Sequence, residues 1–139
     1  MFNTQRPFPV SSSSAEGAYQ FIFAPWAKLL GLIDLTVDVG SATAKMPISG
    51  DIKHVGGVIC GQAIMSAVDM VVTLAMSSTE RVPKATVYQN NHFLRPATGD
   101  LRIAATVLKF GKTTAYAEVS VTLAEGGELV ARSATEWAF

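Results

Sequence analysis

Apolar residues follow two rhythms along this chain. From Ile33 to Val39 they alternate with polar ones, Ile33, Leu35, Val37 and Val39 against Asp34, Thr36 and Asp38, which predicts a half-buried strand. Gly40-Ser41 turns the chain, and Ala42–Ile48 returns with Ala42, Ala44, Met46 and Ile48 inward, so the pair predicts a hairpin. Between Gly61 and Met76 the rhythm changes. The run GQAIMSAVDMVVTLAM has no Pro, a single Gly at its start, and apolar residues on almost every side, which predicts a buried helix reaching about Ser78. Alternation then resumes in Ala85–Arg95, Leu101–Phe110, Thr113–Leu123 and Leu129–Phe139. Pro96 cannot donate to a ladder and marks the first of these as an edge. Thr98-Gly99-Asp100, Gly111-Lys112 and Glu125-Gly126-Gly127 supply the turns. Ahead of the hairpin, Ala15–Leu30 reads as a short helix or two helical turns, with Pro25 starting or kinking the second and Gly31 ending it. Residues 1–14, with two Pro and four consecutive Ser, read as a flexible arm. Hairpin, one buried helix and then a meander predict an α+β domain over residues 15–139, an antiparallel sheet wrapped around a single helix.

Composition sharpens this picture. Eleven basic and eleven acidic residues cancel, so no strong field points to nucleic acid or a charged membrane surface. Only 16% of residues are charged and 49% are hydrophobic, which for 139 residues predicts a surface partly buried against another chain. One Cys excludes an internal disulfide and fits a reducing compartment, so a cytoplasmic protein is expected. The first residues lack the apolar core of a secretory signal. Val58–Met76 has the length of a membrane span, but Gln62 and Asp69 within it argue against one. No Cys, His or carboxylate cluster has metal-ligand spacing, and no Gly-rich phosphate loop follows a strand.

The candidate chemistry lies on the apolar helix. Gln62, Ser66, Asp69 and Thr73 recur at steps of four, three and four, which places them on one narrow stripe. A carboxylate in so apolar a setting is costly unless something repays it, so Asp69 is the first candidate for function. At the helix start, the amide N–H groups of Gly61 and Gln62 have no intrahelical partner and carry partial positive charge. Gly61, without a side chain, lets a carbonyl approach that end. Ser66 and Thr73 have a plainer reading, bonding to the preceding helical turn. Cys60 reads by default as a small buried residue.

The layout and the spacing from Gly61 to Asp69 resemble the hotdog-fold acyl-CoA thioesterases of the phenylacetyl-CoA type, over roughly residues 30–138. In that family a helix opens with His-Gly-Gly and carries an acidic residue eight positions after the first Gly; here Cys60-Gly61-Gln62 and Asp69 occupy those places. The stretch AT…FLRPATGDL at Ala85–Leu101 is similar to the family's next strand, and Phe110-Gly111-Lys112 to its following hairpin. His54 falls where the family carries an amide, Thr73 where some members have a Thr one turn after the acid, and Thr86 where a Ser or Thr starts the next strand. Cys60, Gln62 and His54 depart from the usual residues.

The resemblance implies hydrolysis of an acyl-CoA thioester, with Asp69 as base or nucleophile, Gly61 as the oxyanion donor, and His54 and Thr73 beside the reacting atoms. Cys60, Gln62, Ser66, Thr86, Arg95, Lys109, Gly111 and Lys112 become substrate-binding candidates, the basic ones toward the CoA phosphates. No cofactor is implied beyond the CoA of the substrate. A hotdog enoyl-thioester dehydratase or hydratase, suggested by His54 and Asp69, and a non-catalytic acyl-CoA binder stand as alternatives. Geometry adds a condition. Eight residues of helix rise about 12 Å at ~1.5 Å each, so Gly61 and Asp69 of one chain cannot reach the same carbonyl. Two helices side by side and antiparallel bring Gly61 of one chain to Asp69 of the other, which predicts a homodimer through paired helices and the sheet edge; assembly of such dimers into a homotetramer is expected, with the dimer alone as the alternative.

Overall fold

A computed structural model describes residues 7–139. The elements are α1 (Ala15–Ile22), α2 (Pro25–Lys28), β1 (Ile33–Asp38), β2 (Ser41–Met46), α3 (Gly61–Met76), β3 (Ala85–Phe93), β4 (Leu101–Phe110), β5 (Thr114–Leu123) and β6 (Leu129–Ala138). The strands form one sheet in the order β1-β2-β4-β5-β6-β3, every neighbouring pair antiparallel. The sheet curves over α3, as the apolar pattern of that helix requires. Val68, Val71, Val72, Leu74 and Met76 are sealed from solvent against the inward rows of β2, β4 and β5, among them Met46, Leu101, Ile103, Val119 and Val121. No helix of the described residues is long and apolar enough to cross a membrane.

Three expectations need correction. The four strands after the helix are not one meander. Only β4, β5 and β6 follow one another, while β3 pairs with β6 at the far edge and β4 pairs with β2. The link between β3 and β4 explains the crossover. Leu94 and Arg95 both donate their N–H to the Val130 carbonyl as the strand ends, and the Ala97 carbonyl accepts from Ile59 just ahead of α3. Asp100 is then pinned beside β2, its Oδ1 accepting the Ile48 N–H at 2.8 Å and its Oδ2 lying 3.6 Å from Lys45 Nζ. The chain thus passes the amino end of the helix to reach the other half of the sheet.

The alternation in β1 does not set its face. Ile33 and Val39 are 44% and 79% exposed, and only Val37 is fully buried. Asp34 sits at φ 53° beside a register shift between Ile33 and Thr36, and such a bulge breaks the two-residue period on an edge strand. Part of the stretch read as a flexible arm is tied down. Val10 is buried and donates its N–H to the Ser77 carbonyl at 2.8 Å, while Ser12 Oγ accepts the Val37 N–H and donates to the Val37 carbonyl. Residues 1–6 of that arm lie outside the described residues.

Candidate active site

The free face of α3 and the inner row of β3 meet in a seam. On the helix, Gly61, Gln62, Met65, Ser66 and Asp69 are the residues left at least partly open to solvent. On β3, Thr86, Gln89, Asn91 and Phe93 pair in register with Trp137, Thr135, Ser133 and Ala131 of β6, all four of which are buried. The two rows run antiparallel and touch at three levels. Thr86 Oγ1 donates to Asp69 Oδ1 at 2.6 Å. Gln89 Nε2 donates to the Met65 carbonyl at 3.0 Å. The Phe93 ring lies 3.4 Å from the point where a Cβ would stand on Gly61, so a side chain there would rest directly on the ring.

Asp69 stands at the edge of a cavity of about 380 Å³, lined also by Phe23, Trp26, Met65, Ser66, Met70 and Gln89. The aromatic residues come from the segment joining α1 to α2 and from α2 itself, which Pro25 starts at its first position. Trp26 is 63% exposed although it lines this cavity. Thr86 fixes the orientation of the carboxylate: one oxygen is taken by a charge-assisted bond and the other is left for a ligand.

Gly61 marks the other end of the seam. Cys60 is the N-cap, half-buried, with its N–H donating to the Ile52 carbonyl and no side-chain cap on the helix. The N–H groups of Gly61 and Gln62 have no acceptor among the described residues, the condition a helix start needs to receive a carbonyl oxygen. Eight residues of α3 separate this end from Asp69, so within one chain the two ends face different places.

The other candidates are dispersed. The Ser66 and Thr73 hydroxyls donate to the carbonyls of Gln62 and Asp69, the plainer of their two readings, and Thr73 is turned into the core. His54 caps a tight turn ahead of the helix: its Nδ1 accepts the Gly56 N–H at 2.8 Å, and it makes no hydrogen bond to Asp69. Arg95 folds back onto the Leu129 carbonyl. Lys109 and Lys112 are exposed at the β4–β5 hairpin. There, a Cβ on Gly111 would stand 2.4 Å from the Thr114 carbonyl oxygen, which leaves room only for glycine. Arg81 clamps that hairpin through the carbonyls of Gly111 and Lys112, at 2.8 and 2.7 Å. No group of three or more His, Cys, Asp or Glu among the described residues has the geometry to hold a metal.

Phe93, Gln89, Asn91 and Arg81 were not among the candidates read from sequence. The alternation of Gln89, Asn91 and Phe93 was visible. Its meaning depended on which row faces the helix, and a register shift between Thr86 and Tyr88 conceals that: it brings Thr86 into the row of Gln89 despite their odd separation.

Comparison with known proteins speaks to the family and the fold. Residues 56–130 match the family model described as the thioesterase superfamily. The chain is 32% identical over 109 residues to human acyl-coenzyme A thioesterase 13, covering 76% of this chain and 78% of that protein. The crystal structure of zebra fish thioesterase superfamily member 2 superposes with a TM-score of 0.84 at 24% identity, covering 93% of this chain and 98% of that one. The PaaI protein from the phenylacetic acid degradation operon of E. coli gives 0.80 at 22% identity, with 91% and 90% covered. These two likenesses speak for the hotdog fold, and the family match and the human relative speak for the lineage. The chain belongs to the thioesterase superfamily and is a thioester hydrolase of the hotdog fold.

Proposed function

We propose that this protein hydrolyses an acyl-CoA thioester to the free acid and CoA, at a site completed by two copies of the chain. One observation carries the reading: an oriented carboxylate, Asp69, at the edge of an apolar cavity, on the same helix as an uncapped amide end too far away to share its substrate. An antiparallel pair of α3 helices brings each Asp69 to the other chain's Gly61. The free edge of β3 and the exposed Val87, Tyr88, Phe93 and Leu94 support burial against a second copy, and pairing of such dimers into a tetramer extends the same reading.

In this scheme the thioester carbonyl oxygen accepts from the Gly61 N–H, joined by that of Gln62, and the acyl group enters the cavity lined by Phe23 and Trp26. Asp69, held through Oδ1 by Thr86, takes a proton through Oδ2 from the attacking water. The oxyanion is stabilised by the helix amides, the C–S bond breaks, and the CoA thiolate leaves and is protonated. Direct attack by Asp69 would give the same products through an anhydride; in a single turnover in heavy-oxygen water, label on the enzyme marks an anhydride opened by water at the Asp69 carbonyl, whereas water activated by Asp69 delivers the label to the acid alone. Lys109 and Lys112 serve the CoA phosphates at the rim. The relative acyl-coenzyme A thioesterase 13 and the lack of a His54–Asp69 hydrogen bond favour this reading over hydration of an enoyl thioester.

The test is release of free CoA from a panel of acyl-CoAs by the wild type and by Asp69→Asn. Turnover abolished in a folded Asp69→Asn variant supports the proposal. Wild-type turnover in that variant, or hydration of an enoyl-CoA without thiol release, overturns it.

A further inference from the structure

A polar chain beneath the cavity has an order fixed by one carbonyl. The Met65 carbonyl can only accept, so the Gln89 side-chain atom facing it at 3.0 Å is the amide nitrogen. That nitrogen also lies 3.0 Å from a side-chain atom of Asn91, which must therefore be Oδ1. The buried Ser133 hydroxyl, 2.7 Å from the same Oδ1, must donate to it. Both protons of Gln89 Nε2 are thereby used, and Gln89 cannot flip without losing both bonds. Its Oε1 is left as an acceptor with no partner among the described residues, on a side chain that lines the same cavity as Asp69.

The cavity is otherwise apolar in its aromatic and methionine walls, Phe23, Trp26, Met65 and Met70. A rigid, unpartnered acceptor in such a wall rewards a ligand that brings a donor and penalises one that brings only hydrocarbon. The Met65 carbonyl belongs to the turn one step before Asp69, about 6 Å along the helix at ~1.5 Å per residue. Gln89, anchored on that carbonyl, therefore selects a donor a few bonds from the thioester carbonyl.

We propose that Gln89, locked by Asn91 and Ser133, is a specificity-determining residue that selects acyl groups bearing a hydroxyl near the thioester over their unsubstituted counterparts. The inference rests on the proposal that this cavity takes the acyl group of a thioester. The hydroxyl donates to Gln89 Oε1, and Phe23 and Trp26 pack on the remaining carbons.

The experiment compares 3-hydroxyhexanoyl-CoA with hexanoyl-CoA. The ratio of their kcat/KM values in the wild type is expected to favour the hydroxylated substrate up to about tenfold, the upper end of what one neutral hydrogen bond contributes when the ligand covers a half-buried acceptor. Gln89→Met, close in volume and without the acceptor, brings the ratio to about one. A merely structural role for Gln89 would lower both substrates together and leave the ratio unchanged, which overturns the proposal. Calorimetric binding of the same pair to Asp69→Asn reads the preference without turnover; equal affinities also overturn it. Loss of hydrolysis of both substrates in the wild type counts against the proposed function, whereas hydrolysis that depends on Asp69 and ignores the hydroxyl counts against this inference alone.

Discussion

Replacing Thr86 by Val tests how the carboxylate is held. The 2.6 Å contact between Thr86 Oγ1 and Asp69 Oδ1 is a hydroxyl donating to a charged oxygen. Such bonds contribute about 1.5–3 kcal/mol, and because Thr86 is exposed the lower end applies. If orientation of Asp69 matters only in the transition state, a loss of about 1.5 kcal/mol lowers kcat roughly tenfold with KM nearly unchanged. Val keeps the β-branched shape that suits a strand, so the melting temperature should move little. Thr86→Ser, which keeps the hydroxyl, should recover most of the activity. Steady-state CoA release by a thiol-reactive dye, with thermal melts of all three proteins, measures each quantity. Wild-type kcat in Thr86→Val, or an equal loss in Thr86→Ser, would refute the reasoning.

Two further outcomes follow from the packing. Leu74→Ala empties a fully buried position between α3 and the sheet and should cost about 2–5 kcal/mol, read as a fall in melting temperature or in denaturation midpoint. Arg81→Ala removes two bonds to the β4–β5 hairpin and the stacking of the guanidinium over Phe139, 4.4 Å from its centroid. Amide exchange around residues 111–113 should quicken while the core strands keep their protection.

The long-range plan of this protein was legible in its periodicities because burial enforces them. The helix start at Gly61 and the strand Leu101–Phe110 agree with the reading from sequence, since a solvent-free helix and a half-buried strand leave different apolar rhythms; the helix ends at Met76, two residues before the expected Ser78. Asp69 stood out for a related reason, as a charge among apolar neighbours. What stayed hidden depends on contacts between distant segments. The place of β3 beside β6 is set by a crossover whose anchors, Val130, Ile59 and Ile48, are scattered along the chain. The approach of Phe93 to Gly61 and the amide chain through Gln89 follow from that placement and from a bulge that local alternation does not reveal.

The shared site can be tested by complementation. Asp69→Asn and Gly61→Val should each be inactive alone, the second because a branched side chain at the helix start meets the Phe93 ring and blocks the amide end. Mixed by co-expression or subunit exchange, half of the random dimers carry one chain of each kind, and in those one of two sites joins an intact Gly61 to an intact Asp69. Activity should return to about a quarter of the wild-type value. A mixture that stays as inactive as its parents would contradict a site built across two chains.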